Sequence, residues 1–283
     1  MVIPFLGIYM SSELGFSKTQ IGLVLGCFGL GSVCGSWLGG WLTDKFGNFK
    51  VQTWSLISVI PLFLLLPMFR TFEGLAIMIF ILTLVADIFR PANSVSVARY
   101  AKPENITRAY SLNRMAVNLG FSIGPALGGF LAKFSYNWIF YGNAIAAACA
   151  AIVFIYFFRN RKARTEVGQG IGQKEIEEDK PVRNAYKDSL FIVFNILCCL
   201  FSMAFFQLLS TLPLFYKEAH NLHSDEIGLL LGFSGFVIVL FEMVLVHIVE
   251  HRFSVRQIML WGTAISGMSY LMLTADFGIS WLY

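Results

Sequence analysis

Four ionisable side chains lie inside long apolar runs of the sequence, where a charge is costly and is kept mainly for function. Asp87 and Arg90 stand three residues apart in the run 74–98, and a helix places such a pair on one face. Asp87 is therefore the first candidate for a carboxylate that carries a proton across a membrane. A static ion pair between Asp87 and Arg90 that only holds helices together is the alternative, and both stay open at this stage.

Arg114, the third of these residues, lies in the run 108–133 beside Asn113 and Asn118. This polar group is predicted to line a central cavity, although the long side chain of Arg114 could instead extend to the membrane surface. Glu242, the fourth, is isolated among apolar residues. It is a second proton-coupling candidate if it faces the cavity, and otherwise the partner of a residue beyond the end of the chain.

The sequence offers little for an enzyme, a metal or a cofactor. The five cysteines lie in apolar runs, which does not indicate a disulfide framework or a zinc site. His220 and His223 stand three residues apart, but two histidines alone make a poor metal site. Ser122 lies in a G-x-S-x-G string, yet a nucleophile elbow needs a strand–turn–helix context that this apolar run does not provide. We therefore expect no enzymatic activity, no metal and no cofactor.

Membrane-spanning helices are the elements that must position these residues. The chain is 57% hydrophobic and 13% charged, whereas soluble globular proteins contain about 25% charged residues. A helix of about 20 apolar residues crosses a bilayer, and in lipid the backbone must satisfy its own hydrogen bonds. The fold class is therefore an all-α membrane protein. The predicted spans are 19–42, 50–69, 74–98, 108–133, 136–158, 188–214 and 225–249, with 256–275 as a further candidate and the run Met1–Met10 too short to span.

The basic residues predict how the chain crosses the membrane. If the loop 43–49 faces the cytoplasm and the sides alternate, the outer side holds only Lys18, Arg70, Lys133 and Lys217. Because Lys and Arg concentrate in cytoplasmic loops, the charged segment 159–187 is predicted to be cytoplasmic. The net charge of +4 is spread over short loops, so nucleic acid is not an expected partner.

An internal repeat divides the chain into two halves. The string IGLVLGCFG at 21–29 returns as IGLLLGFSG at 227–235, 206 residues later. Two parallel halves joined by a linker form a known transporter architecture. We predict a six-helix bundle at 1–158 with a truncated first helix, a cytoplasmic linker at 159–187 and an incomplete bundle at 188–283. The repeat predicts about three further helices beyond the end of the chain.

Two motifs carry a family resemblance. The string GWLTDKFG at 40–47 is similar to the signature G-x-L-x-D-(R/K)-x-G, and its matching residues are Gly40, Leu42, Asp44, Lys45 and Gly47. The string GFSIGPALGG at 120–129 is similar to the motif G-x-x-x-G-P-x-x-G-G, and its matching residues are Gly120, Gly124, Pro125, Gly128 and Gly129. In this order they resemble the major facilitator superfamily, and within it the drug:proton antiporters. The family usually has Arg after the first signature, where this chain has Asn48.

The resemblance implies a major-facilitator-type helical bundle, with about nine of twelve transmembrane helices present. It also implies that the 40–47 loop stabilises one state of alternating access. On physical grounds Gly40 and Gly47 are predicted to permit a tight turn. Gly120, Gly124 and Gly128 form a small-residue stripe for close helix packing, and Pro125 is predicted to bend its helix.

The leading functional hypothesis is a secondary active transporter in the inner membrane of a bacterium. It would export small amphipathic molecules in exchange for protons by alternating access. Two alternatives remain: a non-transporting sensor or assembly module that uses the same fold, and a non-functional gene fragment. Glu13, Asp188 and Glu218, at the ends of apolar runs, are predicted to be merely solvated.

Overall fold

A computed structural model describes residues 2–102, 105–159 and 189–272, and every regular element in these ranges is a helix. The predicted linker 159–187 lies outside the described residues except for Arg159. The helices are α1 (Val2–Ser12), α2 (Lys18–Phe46), α3 (Asn48–Leu65, followed by a 3-10 turn at Leu66–Met68), α4 (Phe72–Asp87), α5 (Phe89–Tyr100), α6 (Ile106–Ala132), α7 (Asn137–Phe158), α8 (Ser189–His220), α9 (Ser224–Arg252) and α10 (Val255–Met272).

The predicted membrane spans are confirmed as helices. Seven helical stretches in the described part of the chain are long and apolar enough to cross a bilayer, and each overlaps one predicted span. One of them, Phe72–Tyr100, consists of two helices, α4 and α5, rather than one. The short helix α1 is apolar but has only 11 residues, as its sequence predicts. The further candidate span corresponds to α10, which is helical but is not among the seven.

The repeat is visible in the helices that carry it. Both α2 and α9 are 29 residues long, and each begins with a side chain that caps its first turn. The Ser17 hydroxyl accepts from the Gln20 N–H, while the backbone N–H of Ser17 donates to the Gln20 side chain. At the start of α9 the backbone N–H of His223 donates to Glu226 in the same way. These caps satisfy N–H groups that a helix leaves unpaired at its start.

Helix α2 packs against α4 and α5 through glycine. A methyl group on Gly31 or Gly35 would overlap backbone atoms of Phe80 and Leu84, and one on Gly39 would come within 2.7 Å of the Ile88 carbonyl oxygen. The two backbones therefore approach more closely than any larger residue permits.

The described core lies towards the predicted outer end of the molecule and is centred on α1. Seven residues of this helix are buried, among them Phe5, Ile8 and Tyr9. They pack with residues of α7, α8 and α9, including Phe140, Tyr216 and Ile227. Helix α1 is thus enclosed by both halves of the chain, although the division into two bundles at the linker remains a prediction.

Candidate functional site

The helix that carries Asp87 is interrupted at that residue. Helix α4 ends at Asp87 and α5 begins at Phe89. Pro91 has no backbone N–H to donate to the Asp87 carbonyl group, and its ring collides with that group in a continuous helix. The sequence predicts one span here, and the structure keeps one span, Phe72–Tyr100, that consists of two helices divided next to the candidate carboxylate.

Asp87 and Arg90 form an ion pair across this break. The Arg90 Nε lies 2.7 Å from the Asp87 Oδ1. Asp87 is buried, with 8% of its surface exposed, whereas the Arg90 side chain is 68% exposed. A buried carboxylate is thus bonded to a cation that reaches open space, and the predicted pairing is confirmed as a contact. Whether Asp87 exchanges a proton stays a prediction.

A chain of polar side chains runs from α3 through α5 to α6. Asn48 Nδ2 donates to Ser96 Oγ at 2.6 Å, and Ser96 Oγ donates to Gln52 Oε1 at 2.9 Å. Gln52 Nε2 then donates to Asn93 Oδ1 at 3.4 Å, and Asn93 Nδ2 donates to Asn113 Oδ1 at 3.2 Å. Asn48 and Gln52 are 3% and 0% exposed, so the network is satisfied within the protein, as a buried polar group requires.

The network places the predicted cavity residues of α6. Asn113, the last residue of the network, is half-buried. Asn118 is also half-buried, and Arg114 is exposed. A second bond, from the Tyr110 hydroxyl to the Ser94 carbonyl oxygen at 3.0 Å, fixes α6 antiparallel to α5. This register brings Arg90 and Arg114 to a similar depth. A cavity-lining role for Asn113, Arg114 and Asn118 remains a prediction.

A small cavity lies between α1, α6 and α8, close to these residues. It has a volume of about 180 Å³ and is lined mainly by apolar side chains. A methyl group on Gly120 would meet no atom within 4 Å, so this glycine borders open space. The lining residues are Ile3, Pro4, Val117, Gly120, Phe121, Pro125 and Leu209.

The second motif lies where α6 packs against α9. A methyl group on Gly228 would lie 2.8 Å from the Pro125 carbonyl oxygen and from Gly129 Cα. The Ser122 hydroxyl donates to the Gly232 carbonyl oxygen at 2.9 Å. The α6 surface in contact with α9 is therefore formed by Ser122, Pro125, Ala126 and Gly129.

Close helix packing along the predicted stripe of Gly120, Gly124 and Gly128 stays a prediction, and the contact with α9 is made by other residues of α6 together with Gly129. Gly120 is exposed, Gly124 is half-buried and Gly128 is buried. The residues in contact stand three, four and seven positions apart, which is the spacing of one helical face. Pro125 is accommodated inside α6, which continues to Ala132.

The first motif makes its turn at one glycine rather than two. Gly47 has φ +85°, a conformation that favours glycine, and it is the single residue between α2 and α3. Gly40 lies within α2, so the prediction that it shapes the turn is wrong. Asp44 is exposed, and no partner of its carboxylate lies among the described residues. Lys45 Nζ lies 4.9 Å from the centre of the Trp41 ring.

Several polar contacts join the two halves at the predicted outer end. Lys18 pairs with Glu218 at 2.7 Å, and Lys133 pairs with Asp225 at 3.2 Å. Glu218 is therefore ion-paired rather than only solvated, contrary to the sequence expectation. Lys217 Nζ donates to Ser12 Oγ at 2.6 Å. The side chain of Glu242, in α9, lies outside the described part of the chain, and its proposed role is untested.

The family is identified from the sequence over almost the whole chain. The model of the Major Facilitator Superfamily matches residues 1–282. The chain belongs to the major facilitator superfamily. This agrees with the two motifs, the repeat and the all-helical membrane architecture, and it makes the chain a multi-pass integral membrane protein of a transporter family.

Two of the similar curated proteins are named as MFS-type transporters. An uncharacterized MFS-type transporter of Bacillus subtilis, YttB, is 31% identical over 56% of this chain and 39% of its own length. A second from that organism, YqjV, is 23% identical over 99% of this chain and 68% of its own length. Quinolone resistance protein NorA of Staphylococcus aureus is 26% identical over 59% of this chain and 43% of its own length. The chain thus aligns with about two fifths to two thirds of these proteins.

Two features of the site cannot be recognised from residue types alone. The network from Asn48 to Asn113 uses uncharged side chains scattered over three helices, and no single stretch of sequence signals it. A partial signal was the recurrence of Asn and Gln in otherwise apolar runs. The contacts at the outer end had a clearer sequence signal, because cations are rare on that side. In the structure, three of the four outer cations contact the other half.

Proposed function

We propose that this chain belongs to a secondary transporter that moves small amphipathic molecules out of the cell in exchange for protons. Membership of a transporter family supports transport in general. The similarity to quinolone resistance protein NorA supports efflux of small molecules. The inner membrane of a bacterium is the proposed location, given the Bacillus and Staphylococcus relatives.

The buried Asp87 carboxylate is the observation that carries the proton-coupling proposal. It lies at a helix break within a membrane span, where Pro91 has no N–H to donate to the Asp87 carbonyl group. A carboxylate in such a place is a candidate proton carrier, because it is buried inside a membrane span and contacts Arg90 at 2.7 Å.

The apolar cavity beside Gly120 supports the proposed class of substrate. Its walls come from α1, α6 and α8, that is, from both halves of the chain. A rocking motion between the halves would change its shape and access, as alternating access requires. Apolar walls with half-buried Asn118 and exposed Arg114 on the same helix suit a molecule with an apolar body and a polar tip.

The decisive experiment compares two carboxylates of α4 in liposomes with an imposed pH gradient. We expect Asp87→Asn to abolish gradient-driven uptake of a fluorescent amphipathic cation while still binding it. The matched control is Glu73→Gln, an exposed carboxylate in the first turn of the same helix, which should keep normal flux. Unchanged flux in Asp87→Asn would remove Asp87 from the proton pathway. Absence of flux in the unaltered chain would refute transport by this chain.

A further inference from the structure

A second pocket lies at the predicted outer end, where the end of α6 and the start of α7 face the α8–α9 connection. Its volume is about 630 Å³, within the range of about 300–1,000 Å³ that small-molecule sites occupy. It shares no lining residue with the apolar cavity beside Gly120. Most of its lining side chains are polar or charged, so it suits a polar ligand rather than an apolar one.

Lys217, near the end of α8, supplies this pocket with a positive charge. Its Nζ donates to Ser12 Oγ at 2.6 Å and to the Tyr136 hydroxyl at 3.2 Å, and it lies 5.6 Å from the centre of the Tyr136 ring. Lys217 is half-buried, yet it pairs with no carboxylate in the described part of the chain. Because an ammonium group withdrawn from water is costly without an opposite charge, Lys217 favours an anion beside it.

The other charged groups that line the pocket have local partners. The Asp225 carboxylate accepts a hydrogen bond from Lys133 Nζ at 3.2 Å. The Glu226 carboxylate accepts from the backbone N–H of His223 at 2.8 Å and lies 3.7 Å from the Nδ1 of the same residue. An anion that enters the pocket therefore meets Lys217 as a lysine charge not already matched by a carboxylate.

The hydroxyl groups beside Lys217 form a short chain of hydrogen bonds. The Tyr136 oxygen accepts from Lys217 and lies 2.8 Å from Ser224 Oγ. Because Tyr136 is buried, its own hydroxyl proton needs an acceptor, and Ser224 Oγ provides one. With Tyr136 as the donor, the hydroxyl proton of Ser224 remains to donate to another group, and Ser224 lines the pocket. A positive charge and a hydroxyl donor thus serve the same space.

Aromatic side chains put this pocket at the level of the lipid headgroups. Trp138 and Tyr141, on the first turns of α7, contact each other with ring centroids 6.0 Å apart, and 52% of Trp138 is exposed. Trp and Tyr are enriched where the apolar core of a membrane meets its headgroups. Tyr136 directly precedes α7, so the pocket that it lines lies at the same level. The phosphate groups of the outer leaflet are therefore within its reach.

We propose that this pocket binds a phosphate oxyanion through Lys217, Ser224 and the side-chain amide of Asn221, all of which line it. Lysine binds phosphate as a point charge, and hydroxyl and amide groups supply further donors. Two sources share this chemistry: the headgroup of an anionic phospholipid in the outer leaflet, and a free phosphate ion outside the membrane. The position at headgroup level favours the phospholipid. Binding here does not require transport by the chain.

The first test compares the unfolding temperature of the full chain in lipid nanodiscs of two compositions. One contains only phosphatidylcholine, and the other also contains phosphatidylglycerol, whose headgroup carries a net negative charge. A ligand that binds only the folded state raises the unfolding temperature. We expect phosphatidylglycerol to raise it for the unaltered chain and Lys217→Gln to lose most of this shift. Glutamine still offers a donor to the Ser12 and Tyr136 hydroxyls, so the variant removes chiefly the charge.

A second test distinguishes the free ion from the headgroup. Sodium phosphate is titrated into phosphatidylcholine nanodiscs and compared with sodium chloride at the same ionic strength, because salt alone screens surface charges. A rise in unfolding temperature specific to phosphate, with an apparent affinity that Lys217→Gln weakens about tenfold or more, assigns the free ion as a ligand. A rise with phosphatidylglycerol alone assigns the headgroup. Either result supports an oxyanion site at Lys217.

Lys18→Gln is the matched control for the loss of a positive charge. Lys18 is an exposed cation on the same predicted side, it pairs with Glu218 at 2.7 Å, and it does not line the pocket. Lys18→Gln should therefore keep the full shift in unfolding temperature. If Lys217→Gln does not fold, Ser224→Ala removes one proposed donor without removing a charge and should reduce the shift in part.

Three results would overturn the oxyanion site. The first is an unaltered chain whose unfolding temperature responds neither to phosphatidylglycerol nor to phosphate. The second is a full shift that persists in Lys217→Gln and Ser224→Ala. The third is an equal loss of the shift in Lys18→Gln and Lys217→Gln, which would mean that the anion responds to surface charge in general. None of these results depends on substrate flux, so the oxyanion site and the proposed transport function succeed or fail separately.

Discussion

Gly235 of α9 lies against Ser122 of α6 so closely that a methyl group on Gly235 would come within 2.6 Å of the Ser122 Cα. The repeat gives this contact a counterpart. Gly29 of α2 stands 206 residues earlier, at the matching position of the repeated string, and a methyl group there would meet no atom within 4 Å. The same residue type is thus required by packing in one half and is unconstrained in the other.

This difference yields a prediction for stability. Gly235→Ala should lower the free energy of unfolding by about 1–3 kcal/mol, because the close α6–α9 contact cannot admit a methyl group without backbone movement. Gly29→Ala is the matched control and should be neutral or slightly stabilising, since alanine favours helix. Thermal unfolding of both variants in the same detergent provides the comparison. Equal effects of the two changes would show that the α6–α9 contact is looser than its geometry indicates.

Gly120 offers a change that acts on the cavity rather than on stability. Gly120→Leu adds a side chain into the apolar space of about 180 Å³ without meeting a neighbour at its Cβ. We expect a raised KM for bulky substrates in liposome flux, with an unfolding temperature no lower than that of the parent. Gly262→Leu, at an equally open position of α10, is the control and should leave KM unchanged. A similar KM for both variants would show that this cavity is not part of the substrate path.

The buried network predicts a cost for removing one amide. Gln52→Leu leaves the Ser96 hydroxyl without its acceptor and Asn93 Oδ1 without its donor, and an unsatisfied buried polar group costs about 1–3 kcal/mol. The same substitution at exposed Gln207 should change stability by less than about 0.5 kcal/mol. Denaturant or thermal unfolding of the two variants tests this. A Gln52 variant as stable as the parent would mean that the network is dispensable for the fold.

Sequence predicted the elements better than their contacts. Hydrophobic run length identifies each span, because a bilayer demands about 20 apolar residues whatever the neighbours are. It misses the division at Asp87, since the predicted span 74–98 includes Pro91 and only the missing backbone donor reveals the break. The partner of the glycine stripe that contains Gly120 cannot be predicted for a similar reason. Glycine spacing identifies a smooth stripe on one helix, but it does not identify the helix that packs there. The close contact seen between α6 and α9 depends also on the glycines of α9.

The site was predicted in part. Asp87 and Arg90 were paired from their spacing, which is local, whereas the chain from Asn48 to Asn113 joins residues far apart in sequence. Asn48 shows this most clearly. It stands where the family usually has Arg, and the structure places it buried, accepting a hydrogen bond from Arg99 at 3.3 Å. A cation therefore reaches this position from α5, an arrangement that no single motif encodes.

The role of Asp87 can be separated from that of its ion pair with Arg90. If the pair is only a structural contact, the neutral combination Asp87→Asn with Arg90→Gln should fold and keep gradient-driven flux, because it removes both charges and leaves no charge unpaired. If Asp87 carries a proton, the same double variant should bind substrate but lose the response to a pH gradient. We expect the second outcome. Arg90→Gln alone should then retain coupling, because it leaves the Asp87 carboxylate in place. The two roles are distinguished by measuring substrate flux of the single and double variants under pH gradients of both directions. If the double variant still responds to the gradient, Asp87 and Arg90 have only a structural role.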